Sequence, residues 1–197
     1  MNVFTDGLPG FITVDGIKYA VRTDYRVWIK FGEIIADNTE GTQKYLSAVL
    51  LCFEPQAVKK LPPDPAATLE AMCDFYACGK LADTRKGHTK SGGAAGGRSF
   101  SFSADWEYIY ASFLSEYGID LLAANLHWQQ FMALLGGLSE NSRFMKLVFY
   151  RTVNPEDAQD SSRRKYLRRM KQLCALPDNR SEAEKQSDLA DKLSQLF

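Results

Sequence analysis

The spacing of hydrophobic positions changes along this chain, and each change marks an element. Phe11 to Arg22 reads as two short β runs around Asp15-Gly16. That dipeptide accepts the positive φ angles of a type I′ turn, so a hairpin is predicted near the start. Val27, Trp28, Phe31, Ile34 and Ile35 then recur at spacings of three and four, predicting a helix capped by Thr23 or Asp24. A second helix is predicted from Thr42 to Phe53, stopped near Pro55. Pro62, Pro63 and Pro65 break the chain, and a third helix is predicted from Ala66 to Cys78, ended by Gly79.

From Asp83 to Arg98 there is no large apolar residue, and Gly92, Gly93, Gly96 and Gly97 crowd together, which predicts a flexible loop. A phosphate-binding loop needs a lysine after its second glycine; here Gly92 is followed by Gly93. Helical periodicity resumes with Ser103 as N-cap, Asp105 and Glu107 as first-turn acids, and Trp106, Ile109, Tyr110, Phe113, Leu114 and Tyr117 on one face up to Gly118. Trp128, Phe131, Met132 and Leu135 make the next face, ending at Gly136-Gly137. Ser139 opens another helix with Phe144, Leu147 and Val148 inward.

Asn154-Pro155-Glu156-Asp157 predicts a helix start, because proline at the first helical position loses no bond the helix would have made. Between Arg163 and Lys171 lie Arg163, Arg164, Lys165, Arg168, Arg169 and Lys171 without an acid, opposite a stripe of Tyr166, Leu167, Met170, Leu173 and Cys174. The last segment has Ser181 and Glu184 at capping-box spacing, with Leu189, Leu193, Leu196 and Phe197 as a narrow apolar stripe. The expected fold class is mainly α, a small helical bundle with a short N-terminal β-hairpin. Its expected parts are residues 1–82 (hairpin plus helices), 83–99 (Gly-rich loop), 100–177 (helical core packing on the N-terminal half) and 178–197 (C-terminal amphipathic helix).

Composition bounds the function. The 197 residues are 45% hydrophobic, with 12 Phe, nine Tyr and three Trp, enough apolar surface for a substantial core. Twenty-four basic and 24 acidic residues cancel, so the whole molecule has no field that draws nucleic acid or an anionic membrane. Nothing approaches the roughly 18 to 20 apolar residues of a membrane span, and Met1 to Gly10 lacks the basic flank and apolar run of a signal peptide. A cytosolic protein is expected, with Cys52, Cys73, Cys78 and Cys174 as reduced thiols. Cys73 and Cys78 are too far apart for a zinc pair, and His88 and His127 lie far from both.

No catalytic constellation emerges, and neither a cofactor nor a metal is expected. His127, beside Trp128 on an apolar helix, is the best general-base candidate; a hydrogen-bonded structural histidine is the reading favoured for it. Asp120 reads as the cap of the next turn. The basic stretch could touch phosphates, but with zero net charge and no nucleic-acid motif it reads rather as a solvated or docking face.

Several strings in this chain carry a resemblance. They are Asp15-Gly16-Ile17-Lys18-Tyr19, Thr23-Asp24-Tyr25-Arg26-Val27-Trp28, Asp105 through Phe113, Tyr117-Gly118-Ile119-Asp120-Leu121 and Leu126-His127-Trp128, with Phe131, Leu134, Gly137 and Leu138. Tyr150-Arg151, Tyr166, Lys171 and Leu176-Pro177 complete the set. In order and over about residues 8 to 178, these resemble the bacteriophage gene product fifteen proteins, encoded in the tail gene clusters of long-tailed phages and prophages. Gln129 stands where the family has a second tryptophan, and the segment after Asp178 lies outside the resemblance.

The resemblance implies a non-enzymatic role in tail morphogenesis, since such proteins are encoded just upstream of the tape-measure gene. A tail assembly chaperone of the host cytoplasm is expected, holding the tape-measure protein before the tail tube polymerises. The tail-tube protein or an upstream assembly chaperone are further partners, and homo-oligomerisation stays open. The alternatives are a structural tail component retained in the virion and a nucleic-acid-binding accessory protein. Arg163, Arg164, Arg168, Arg169, Leu189, Leu193 and Leu196 are the candidate partner-binding residues, chosen for amphipathic pattern.

Overall fold

Asp15 and Gly16 take φ angles of 50° and 78°, the two positive values that a type I′ turn demands. They close an antiparallel hairpin of β1 (Phe11–Val14) and β2 (Ile17–Ala20), in which Phe11 faces Ala20 and Val14 faces Ile17. Ile12, Val14 and Tyr19 share one face of the hairpin and are buried, Phe11 on the other face is exposed, and Ile17, on the buried side but next to the turn, stays open to solvent. The computed structural model describes residues 3–37, 41–79 and 99–177, and these are mainly helical. They fall into two compact units, Met1–Gly92 with Glu107–Arg143, and Gly93–Trp106 with Phe144–Phe197.

One helical turn, α1 (Val3–Asp6), precedes the hairpin. Then come α2 (Tyr25–Ala36), α3 (Gly41–Cys52), a 3-10 turn at Ala57–Lys60 and α4 (Pro65–Tyr76). The caps follow local rules: the Asp24 carboxylate accepts from Arg26 N–H at 2.8 Å, and Asp64 accepts from Ala66 and Ala67 ahead of Pro65 at the first position. α5 (Trp106–Tyr117) and α6 (Trp128–Gly136) follow, the latter ended by Gly137.

The core of the first unit is a run of rings. Trp28 stacks on Phe75 at 4.3 Å between centroids, Tyr76 on Trp128 at 5.0 Å, and Phe131 on both Tyr25 (4.6 Å) and Phe113 (5.3 Å). Both tryptophans are completely buried, and each indole N–H finds a main-chain acceptor, Trp28 the Arg22 carbonyl at 2.7 Å and Trp128 the Tyr76 carbonyl at 2.9 Å. An unpaired indole N–H here would cost about 1 to 3 kcal/mol. α2 and α4 approach so closely that a Cβ on Gly32 would lie 2.5 Å from the Tyr76 hydroxyl oxygen.

The second unit contains nearly all of α7 (Arg143–Thr152), a 3-10 turn at Pro155–Asp157 and α8 (Ser161–Leu173). Phe144, Leu147 and Leu167 are its buried aliphatic and aromatic side chains, with Phe100 set edge-on to Phe144 at 5.5 Å.

Three sequence expectations shift. The Asn154-Pro155 signal starts only a single turn, because the Asn154 side chain bonds both Glu156 N–H and the Asp157 carboxylate and closes it; Asp160 then caps α8 through Arg163 N–H at 2.8 Å. α7 begins at Arg143 and not at Ser139, whose N–H and hydroxyl are both taken by Glu116. On α5 the buried side is Ile109, Ser112 and Phe113, turned so that Phe113 meets Phe131, and Trp106 and Leu114 face solvent.

Candidate functional site

His127 is the N-cap of α6. Its Nδ1 accepts from Gln129 N–H at 3.1 Å and its Nε2–H donates to the Pro9 carbonyl at 3.0 Å. Both ring nitrogens are therefore engaged in the neutral tautomer, and burial pushes its pKa below the ordinary 6.5. Around it Tyr25 N–H bonds the Leu126 carbonyl and Trp128 N–H the Thr23 carbonyl, stitching the start of α2 to the start of α6. The Tyr25 hydroxyl and the Arg26 guanidinium both donate to the Leu121 carbonyl, and Arg26 also reaches the carbonyls of Leu122 and Ala124. The strings around Asp24, Leu121 and His127 thus meet at one seam, where histidine and arginine serve as structural ties.

A cavity of about 170 Å³ in the first unit is lined by Ala111, Ser112, Ser115 and Arg143. The Ser115 hydroxyl donates to the Ser112 carbonyl, and among the described residues no carboxylate or imidazole lines the cavity to act as a base. Among the described residues no group of three or more His, Cys, Asp or Glu could hold a metal ion, and no helix is long and apolar enough to cross a membrane. None of the four cysteines is in a disulfide; burial pushes the Cys52 thiol up to about 12, which keeps it un-ionised.

The second unit is organised by charge. Asp105, expected as a first-turn acid of α5, instead sits just before the helix and is only 2% exposed. Both its oxygens are held by Arg151 of α7, at 2.6 and 2.8 Å, and Ser101 N–H adds a third bond. The same guanidinium donates Nε–H to the Cys174 carbonyl after α8. One arginine therefore ties the entry to α5, the end of α7 and the exit of α8, with every charge partnered as burial requires. Sequence reading did not pair the two, although Asp105 and Arg151 both lie in strings that carry the family resemblance.

α8 divides its cations between two sides. Arg168 binds the Glu156 carboxylate at 2.6 Å, Arg164 bonds the Ala158 carbonyl at 3.1 Å with Glu156 at 3.9 Å, and Lys171 donates to the Val153 carbonyl at 2.9 Å. The Arg168 bond holds the Glu156 carboxyl below its ordinary range. Lys165 and Arg169 are exposed and make no side-chain hydrogen bond or ion pair with another described residue. Arg163 makes none either, but its charge acts on Tyr150. The Tyr150 hydroxyl is bonded to that of Tyr166 at 3.1 Å, which pushes the Tyr150 pKa up. Leu189, Leu193 and Leu196 lie outside the described residues.

A family model for the bacteriophage Gp15 protein matches residues 4–176. Searches of curated proteins and of solved structures found no match. The match covers most of the chain, and the chain belongs to the bacteriophage Gp15 protein family, which makes it a phage structural or morphogenesis protein.

Proposed function

We propose that this chain is a tail assembly chaperone, a non-enzymatic protein of the host cytoplasm that binds the tape-measure protein before tail-tube subunits polymerise around it. The observation that carries this reading is family membership across residues 4–176; that the family's genes lie just upstream of the tape-measure gene is what the resemblance implies. The physical need is plain. A very long helix with exposed apolar stripes aggregates unless another surface covers those stripes until the tube encloses them.

The surface of this chain supports such a task. Leu46 and Leu50 on α3, Trp106 and Leu114 on α5, and Phe149, Tyr166 and Leu173 on α7 and α8 all remain exposed. Helical partners are held through such anchors at spacings of three, four and seven, with flanking charges setting orientation.

The test is coexpression with the tape-measure protein of the same phage, affinity purification, and size-exclusion chromatography with light scattering. A soluble stoichiometric complex is expected. A lone copy of this chain beside an insoluble tape measure overturns the reading, as does a tape measure that is monodisperse without it. Mass spectrometry of purified virions separates the structural alternative: the chaperone is absent from finished particles, and a retained tail component is present in fixed copy number.

A further inference from the structure

α7 and α8 leave an aromatic ledge on the second unit. Phe149 packs edge-on to Tyr150 at 5.5 Å, and Tyr150 edge-on to Tyr166 at 6.2 Å, with the two tyrosine hydroxyls bonded to each other. Phe149 and Tyr166 are nevertheless about half exposed, at 48% and 47%, and Leu173 two turns further along α8 is 69% exposed. Lys165, Arg169 and Leu173 stand four residues apart on the same side of α8, and Tyr166 lies three residues before Arg169, so these four share one face.

The charges beside that ledge differ from Arg164, Arg168 and Lys171 of the same helix. Arg164, Arg168 and Lys171 are already occupied by Glu156 and by carbonyls of the preceding turn. Lys165 and Arg169 have no counter-charge among the described residues. We propose that this face, the Phe149–Tyr150–Tyr166 ledge extended by Leu173 and rimmed by Lys165 and Arg169, docks an acidic amphipathic helix of another protein. The partner's apolar residues cover the rings and Leu173, and its carboxylates meet Lys165 and Arg169. The apolar centre argues against a phosphate track, which would need a longer cationic row, and the chain as a whole carries no net positive charge to gather nucleic acid. The proposal deepens the chaperone reading and rests on it only for the identity of the partner.

The test uses the full chain and a defined probe: a synthetic helical peptide of about 18 residues with leucines at spacings of three and four and glutamates flanking them. Binding is followed by fluorescence anisotropy. Saturable binding is expected, weakened about tenfold by the double variant Lys165→Glu with Arg169→Glu and restored on that variant by a peptide with lysine in place of glutamate. Both substitutions are at exposed positions, so an unchanged far-ultraviolet dichroism spectrum confirms an intact fold. Leu173→Ser, which keeps every charge, is expected to weaken both peptides.

Equal binding to the double variant overturns the proposal, as does no binding at all. Displacement of the peptide by duplex DNA reassigns the face to nucleic acid. Binding only after removal of residues 178–197 also overturns it, by showing that the chain covers this face itself. A peptide that binds while the tape-measure protein fails to copurify upholds the face and removes that partner; the reverse result upholds the partner and removes the face.

Discussion

In the first unit Trp28 and Trp128 are fully buried and each hands its single N–H to a main-chain carbonyl, whereas in the second the most buried polar group is the Asp105 carboxylate, gripped by two nitrogens of Arg151. The first arrangement draws its stability from apolar area, which is non-directional and spread over many rings. The second relies on a pair whose net contribution is small but whose disruption is costly, because one partner removed leaves a buried charge. Spending few apolar residues on its interior, the second unit keeps Phe149, Tyr166 and Leu173 at the surface.

Substitutions can break this contrast in order of size. Trp128→Ala removes the ring between Tyr76 and Phe131 and should cost about 4 kcal/mol, read by chemical denaturation. Arg151→Ala should cost about 3 kcal/mol by stranding Asp105, and Asp105→Leu combined with Arg151→Met should recover most of that loss. If Arg151→Ala proves neutral, the second unit is not held by charge. Gly32→Ala presses a methyl against Tyr76, whose ring is pinned on Trp128, and about 2 kcal/mol should be lost; Tyr76→Phe in the same chain should relieve part of it.

Smaller effects sharpen the picture. His127 has a folded pKa below its unfolded value near 6.5, so the unfolded chain takes up the proton first as the solution is acidified. Its contribution is intact above about pH 6.5 and declines as pH falls toward the folded pKa; His127→Asn, which keeps a capping oxygen, should flatten that part of a stability profile. Glu156→Gln should leave the denaturation midpoint unmoved, because this carboxylate and Arg168 are both well exposed.

What could be read from the sequence was what short-range rules dictate. Asp15-Gly16 made its turn, Asp24 capped α2, and Trp28, Phe31, Trp128, Phe131 and Leu135 of the predicted stripes ended up buried, with Val27, Ile34, Ile35 and Met132 half-buried at their edges. The Asp105–Arg151 pair spans 46 positions and leaves no periodic trace, so Asp105 looked like an ordinary first-turn acid. On α5 the apolar series was real, but Phe131 chose which edge of it to bury, and Trp106 was left outside. On α8 the density of cations was visible at once, yet their division into occupied and uncommitted sides depends on where Glu156 and the carbonyls of Val153 and Ala158 fall.

Hydrogen–deuterium exchange of the full chain, alone and in complex with the tape-measure protein, tests most directly the claim that α7 and α8 present a working surface while the aromatic core of the first unit holds the fold. The account predicts added protection in α7 and α8, around Phe149, Tyr166 and Arg169, and unchanged exchange in α2 and α6. Protection confined to the first unit, or none in α8, would contradict it.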